Sequence, residues 1–170
     1  TLNNPITSRN FIDRFLVSCE AYSIPVIIAF NKKDTYVDKD SIELEKLINT
    51  YRSIGYTCQL ISAKLGDGVN EIINLMKNKT CIISGHSGVG KSTLINSISP
   101  DLKLKTKEIS LSHNQGKHTT THAEMYDLNS NISVIDTPGI RGFGLVDITK
   151  HELGDFFPEF FVAKQKCKFN

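Results

Sequence analysis

Residues 85–92 read Gly-His-Ser-Gly-Val-Gly-Lys-Ser and fit the pattern G-x-x-x-x-G-K-[ST] at every fixed position. The apolar residues Cys81–Ile83 before them suit a short buried strand, and Lys91–Ile98 after them has the spacing of a helix. A glycine-rich turn between a strand and a helix can wrap a polyphosphate with its backbone N–H groups, and the helix N-terminus adds a favourable dipole. Gly85, His86, Ser87, Gly88, Val89 and Gly90 then form the cradle. Lys91 is placed to neutralise the outer phosphates and Ser92 to ligate Mg²⁺, with Thr93 next in the first helical turn. The plain alternative, a glycine-rich turn that merely caps a helix, is disfavoured by the strand and helix on either side.

Working outward, four further segments surround this loop. Downstream, Asp136-Thr137-Pro138-Gly139 follows an apolar strand, Ile132–Ile135. Asp136 is expected to hold Mg²⁺ through a water, and the Gly139 N–H to sense the outermost phosphate. Between the two, Gly116-Lys117-His118-Thr119-Thr120-Thr121-His122 offers three threonines that can complete the Mg²⁺ shell. Thr120 is preferred only slightly over Thr119 and Thr121, because spacing does not decide among them. Such a loop can be ordered by the terminal phosphate and released after its loss.

Upstream, Asn31-Lys32-Lys33-Asp34 follows the apolar strand Val26–Phe30. A carboxylate at Asp34 can accept from both N1–H and the 2-amino group of guanine. Adenine offers no such donor pair, and a site built around a polar partner can reject the wrong ligand by ~10⁴-fold. The stem of Lys32 can lie over the base plane, and Asn31 can tie this loop to the phosphate loop. Ser62-Ala63-Lys64 follows the strand Tyr56–Ile61, and its Ala63 N–H can donate to guanine O6.

The rest of the chain fits an α/β domain. It has 170 residues, 39% hydrophobic and 22% charged, with a net charge of +2. That is enough for one sizeable core, and the charge is too small to imply nucleic-acid binding by itself. No apolar run approaches the ~18 residues of a membrane span, and no signal-peptide pattern opens the chain. Cys19, Cys58, Cys81 and Cys167 form no CxxC pair, which fits reduced thiols in a cytoplasmic protein. A helix is expected from Asn10, as cap, to about Tyr22, with Phe11, Ile12, Phe15, Leu16 and Cys19 on its apolar stripe. A second spans Asp40–Ile54, capped by Asp40 or Ser41 and ended by Gly55, burying Leu44, Leu47, Ile48 and Tyr51. Gly66-Asp67-Gly68 turns into a helix at Val69–Lys77. Ala123–Leu128 and Ile132–Ile135 read as a hairpin, and a short helix is expected near Lys150–Phe157. Strands alternating with helices predict a mostly parallel sheet flanked by helices.

The order of the motifs is distinctive. The base-reading segments (31–34 and 62–64) precede the phosphate loop (85–92), the threonine loop and D-T-P-G (136–139), whereas an ordinary small GTPase has the phosphate loop first. This is the order of a circularly permuted GTPase, a rearrangement that nearby surface termini make tolerable. With Asp13-Arg14-Phe15-Leu16-Val17, the S-G-V-G-K-S core, Gly116–Thr121 and Asp136–Gly144, the chain resembles the RsgA/YjeQ family of small-ribosomal-subunit biogenesis GTPases. Gly88 stands where other permuted GTPases usually carry Asn, which favours that family.

The resemblance implies a permuted P-loop GTPase domain over residues 1–158. Residues 159–170 would begin a zinc-binding region, with Cys167 as a first Zn²⁺ ligand of an incomplete site. It implies an N-terminal OB-fold and a first strand beside the phosphate-loop strand, neither present here, so a gap is expected in the sheet. It implies GTP and GDP as ligands, Mg²⁺ as cofactor, and late maturation of the small ribosomal subunit and its rRNA as the setting. A monomer without membrane attachment is expected. Where many GTPases place a water-orienting Gln just after D-x-x-G, this chain has Ile140, so another group must position the water. His118 is the candidate, supported by the family resemblance, with Lys91 as its electrostatic partner in catalysis; His86, at the lip of the phosphate loop, is the weaker one. Lysines 103, 105, 107 and 117, with 164, 166 and 168, suit rRNA phosphates or simply a solvated face. The alternatives are a GTP-dependent binding module, or a permuted GTPase acting on the large subunit or another target.

Overall fold

The computed structural model describes residues 1–104, 123–128, 131–140, 144–145 and 148–168. Its elements run α1 (Arg9–Ala21), β1 (Ile27–Phe30), α2 (Asp38–Ile54), β2 (Thr57–Leu60), α3 (Val69–Met76), β3 (Thr80–Ile83), α4 (Lys91–Ile98), β4 (Glu124–Leu128), β5 (Ile132–Asp136) and α5 (Pro158–Lys164), with short 3₁₀ turns at Lys33–Thr35, Pro100–Leu102 and Leu153–Phe156. The threonine loop, with His118 and Thr120, lies outside the described residues.

The strands form two sheets. β1 and β2 pair in parallel, Ile27 opposite Thr57 through Phe30 opposite Leu60. β5 lies between β3, parallel to it, and β4, antiparallel to it, giving the order β3-β5-β4. The antiparallel pair is the expected hairpin. β1 and β3 belong to different sheets, so the two loops of greatest interest leave strands that do not hydrogen-bond to each other. Ile82, in an apolar strand, is 61% exposed.

Two apolar cores follow this division. One gathers Ile61, Val69, Ile72, Met76, Leu94, Ile95, Ile132 and Val134 between α3, α4 and the three-stranded sheet; the other packs α1 and α2 on β1 and β2 through Leu16, Phe30, Leu44, Leu47, Ile48, Tyr51 and Cys58. The four α2 residues expected to be buried are buried. Removing such side chains from water is the main stabilising contribution.

Helix boundaries depart from expectation where local hydrogen bonds compete. α1 starts one residue before Asn10, because the Ser8 hydroxyl accepts the Phe11 N–H at 3.3 Å and takes the capping role. α2 starts at Asp38; Asp40 lies inside the first turn and its carboxylate reaches back to the Val37 N–H at 3.3 Å. Gly55 ends α2 in the left-handed region, as expected. Near the C-terminus the expected single helix is a 3₁₀ turn followed by α5, with Pro158 starting the latter.

Candidate functional site

The segments expected to read a base and to bind phosphate come together at the C-terminal ends of β1, β2, β3 and β5. Parallel pairing continues beyond the strand ends: Ile61 N–H donates to Phe30 O at 2.9 Å, and Lys33 N–H to Ile61 O at 3.0 Å. This sets the loop at 31–34 beside that at 62–64. Asn31, 8% exposed, then joins three segments. Its Nδ2 donates to Val89 O in the phosphate loop at 2.9 Å, and its Oδ1 accepts the Ala63 N–H at 2.9 Å. The tie from Asn31 to the phosphate loop is therefore present. The Ala63 N–H, expected to face a base oxygen, is donated to Asn31.

Asp34 is exposed, with one oxygen oriented by Ser62. The buried Ser62 hydroxyl donates to Asp34 Oδ1 at 2.5 Å and accepts the Leu65 N–H at 3.2 Å. A carboxylate fixed in this way is preorganised to accept from a ligand. Lys32 adopts the left-handed conformation, φ 72° and ψ 33°, and its ammonium donates to Asn4 O. Burial lowers its pKa, while the charge of Asp34 acts in the opposite direction. Lys33 pairs with Asp67 at 2.6 Å on the surface, and Lys64 is exposed. Tyr36 belongs to no motif, yet its hydroxyl donates to Asn31 O at 2.6 Å and accepts the Leu2 N–H at 3.2 Å. Its place two residues beyond Asp34 is the only signal for it.

The phosphate loop leaves β3 and enters α4. Gly90, at φ +99°, stands where a side chain would collide with Asn31 Nδ2. Gly88 is exposed, beside the ring of Pro5. Lys91 Nζ donates to the carbonyls of Gly85 and His86 at 3.1 and 3.3 Å. The ammonium is therefore held against the loop it is expected to serve. Burial pushes its pKa below the usual lysine range, and the nearby charge of Asp136 opposes that shift. Ser92 and Thr93 are half-buried in the first turn of α4.

Asp136, 2% exposed, ends β5 opposite Ile83 of β3. The next residues are fastened to the phosphate-loop strand. Thr137 Oγ1 donates to Ile83 O at 2.9 Å, and Ile140 N–H donates to Gly85 O at 3.1 Å. Gly139 is pressed so close that a Cβ on it would lie 2.6 Å from the Ser87 amide nitrogen. His86 Nδ1 lies 2.7 Å from Ile140 O, and its ring packs on Phe11 with centroids 4.0 Å apart. Phe11, expected on the buried stripe of α1, is half-buried and serves this contact; Leu16, Val17 and Cys19 are the buried residues of the helix.

The donor set suits Mg²⁺, a hard cation that takes few protein oxygens and completes its shell with phosphate and water. Ser92 would supply a hydroxyl from the first turn of α4 and Asp136 a carboxylate from the end of β5. Zinc is different. Cys167 is exposed and reduced, and no group of three or more His, Cys, Asp or Glu residues that could hold a metal occurs among the described residues. The described residues do not make a zinc site. No helix among the described residues is long and apolar enough to cross a membrane.

The model of the RsgA GTPase family matches residues 1–146. The small ribosomal subunit biogenesis GTPase RsgA of Christiangramia forsetii is 58% identical over 170 residues, covering all of this chain and 54% of that protein. The protein of the same name from Flavobacterium psychrophilum is 55% identical, with 100% and 52% covered. Among solved structures, YjeQ from Thermotoga maritima superposes with a TM-score of 0.78 at 34% identity, covering 94% of this chain and 52% of that one. YloQ, a circularly permuted GTPase, gives 0.74 at 34% identity, with 99% and 52% covered. The chain spans about half the length of the curated relatives it matches.

Proposed function

The chain belongs to the RsgA GTPase family and has the fold of a circularly permuted GTPase, and from that premise we propose that it binds GTP, hydrolyses it to GDP and phosphate, and acts in late maturation of the small ribosomal subunit. The observation that carries the proposal is the double hydrogen bond of Asn31, which joins both base-reading loops to the phosphate loop. Asp34, oriented by Ser62, supplies the acceptor pair that guanine matches and adenine does not.

In the proposed reaction a water oxygen attacks the γ-phosphorus, the bond from that phosphorus to the β–γ bridging oxygen breaks, and GDP and inorganic phosphate leave. There is little covalent chemistry for the protein to do, so positioning and neutralisation dominate. Lys91 leaves the Gly85 and His86 carbonyls to meet the β- and γ-phosphates, while the loop N–H groups hold the remaining oxygens. Ser92 and Asp136, with Thr120 of the threonine loop, would hold Mg²⁺, which would supply neutralisation of phosphate charge when bound. The Gly139 N–H meets the γ-phosphate. His118 orients the water, since Ile140 presents only an apolar side chain there.

The wider setting is part of the same proposal. The protein works in the cytoplasm as a monomer, its lysine clusters meeting rRNA. A further strand of the intact protein lies beside β3, the phosphate-loop strand. Cys167 contributes to a zinc site completed elsewhere. The deciding experiment is GTP turnover by the intact protein, alone and with purified small or large subunits. Selective stimulation by small subunits is the expected outcome. Tight GTP binding without stimulation by either would replace catalysis with a GTP-dependent binding role.

A further inference from the structure

The structure assigns to His86 a role that its place in the loop pattern does not specify: its imidazole latches the D-T-P-G loop onto the phosphate loop and thereby sets the discrimination between a nucleoside diphosphate and a triphosphate. The assignment rests on the proposed nucleotide site and deepens it.

A carbonyl oxygen accepts and never donates, so the 2.7 Å contact between His86 Nδ1 and Ile140 O requires the proton on Nδ1. Neutral imidazole in that tautomer and imidazolium both satisfy it. One residue earlier, Gly85 O accepts the Ile140 N–H at 3.1 Å. Ile140 is thus bonded through both its amide and its carbonyl to consecutive residues of the phosphate loop. Phe11, packed on the imidazole at 4.0 Å between centroids, holds the ring in place from α1. The other end of the segment is held by Thr137 on Ile83 O.

The consequence falls on Gly139. Pinned between these two anchors, its Cα sits against Ser87, with room for no side chain. A γ-phosphate must contact both the phosphate loop and the Gly139 N–H, so it has to enter between the two segments that now touch. A diphosphate stops short of that junction. The latched arrangement therefore accommodates the diphosphate as it stands and must open for the triphosphate. A ligand that binds only the open arrangement has its apparent affinity reduced by the fraction of protein that is open. Losing one net hydrogen bond from the latch raises that fraction about fivefold.

Two measurements on the intact protein test this. The first is the ratio of dissociation constants for GDP and a non-hydrolysable GTP analogue. His86→Ala is expected to shift the ratio about fivefold toward the analogue, and His86→Asn, whose side-chain N–H can stand in for Nδ1–H, to restore it. An unchanged ratio in His86→Ala, or an Asn variant that behaves like Ala, overturns the proposal. The second is amide hydrogen exchange at Ile140 in nucleotide-free protein, expected to accelerate in His86→Ala and to be restored in His86→Asn. Unaltered exchange overturns the latch whether or not GTP binds. Altered exchange in a protein that binds no guanine nucleotide keeps the latch and removes the nucleotide reading.

Discussion

The two sides of the site are built differently. On the base side, side chains make the contacts: Asn31 to Val89 and Ala63, Ser62 to Asp34, Tyr36 to the backbone of Asn31. On the phosphate side, side chains fold back onto carbonyls of the loop and its neighbours, Lys91 on Gly85 and His86, His86 on Ile140 and Thr137 on Ile83, with Gly139 pressed against Ser87. On the base side Asp34 is exposed and already oriented by Ser62, while the phosphate side is closed upon itself. Selection of the base can therefore be rigid, whereas sensing of the phosphate requires movement, and the two properties are separable by substitution.

The largest expected effect lies on the phosphate side. Lys91→Ala should lower single-turnover GTP hydrolysis by about 10²–10³-fold, the range for removing one preorganised charge-stabilising donor. Turnover close to that of the unsubstituted protein would mean that Lys91 stays parked on its carbonyls. Because burial holds the Lys91 pKa below the ordinary value, its charge is lost at lower pH than for a solvated lysine. Triphosphate affinity should accordingly decline as pH rises toward the lysine range more steeply than in Lys91→Ala, which lacks that titrating charge.

Next comes the base side. Asp34→Asn should cost GTP and GDP affinity equally, by about 100-fold, as two charge-assisted hydrogen bonds are weakened. A competition titration against ATP checks it, and a change confined to GTP would break the separation of the two sides. The smallest effect belongs to Tyr36→Phe, which loses one neutral hydrogen bond to Asn31 and one from Leu2. Affinity for both nucleotides should fall about fivefold with their ratio unchanged; isothermal titration of the two nucleotides reads both quantities.

The same division governs what was legible in the sequence. α4 begins and ends where its pattern places it, because a fixed glycine loop precedes it and an apolar stripe runs through it. The alternation of strands and helices, and the presence of parallel pairing, also follow from pattern. The edge roles do not. Ser8 rather than Asn10 caps α1, since the choice depends on which oxygen reaches a free N–H. Asp34, Ser62 and Asn31 could each be marked as site residues from their motifs. The donation of the Ala63 N–H to Asn31 could not, because it depends on how closely two loops approach. Tyr36 and the pairing of Phe11 with His86 are long-range contacts, and the types of Tyr36 and Phe11 suggest only core.

The division of the strands into two sheets has a mechanical meaning. β1 carries the loop with Asn31 and β3 the phosphate loop, and among the described residues the two strands share no ladder of hydrogen bonds. A nucleotide seated on both loops in the proposed manner is a rivet across that seam, set beside the Asn31 bond to Val89 and the strand proposed to lie next to β3. A ligand that binds only the folded site stabilises it by mass action, so the occupied form holds the two loops together more tightly than the empty one.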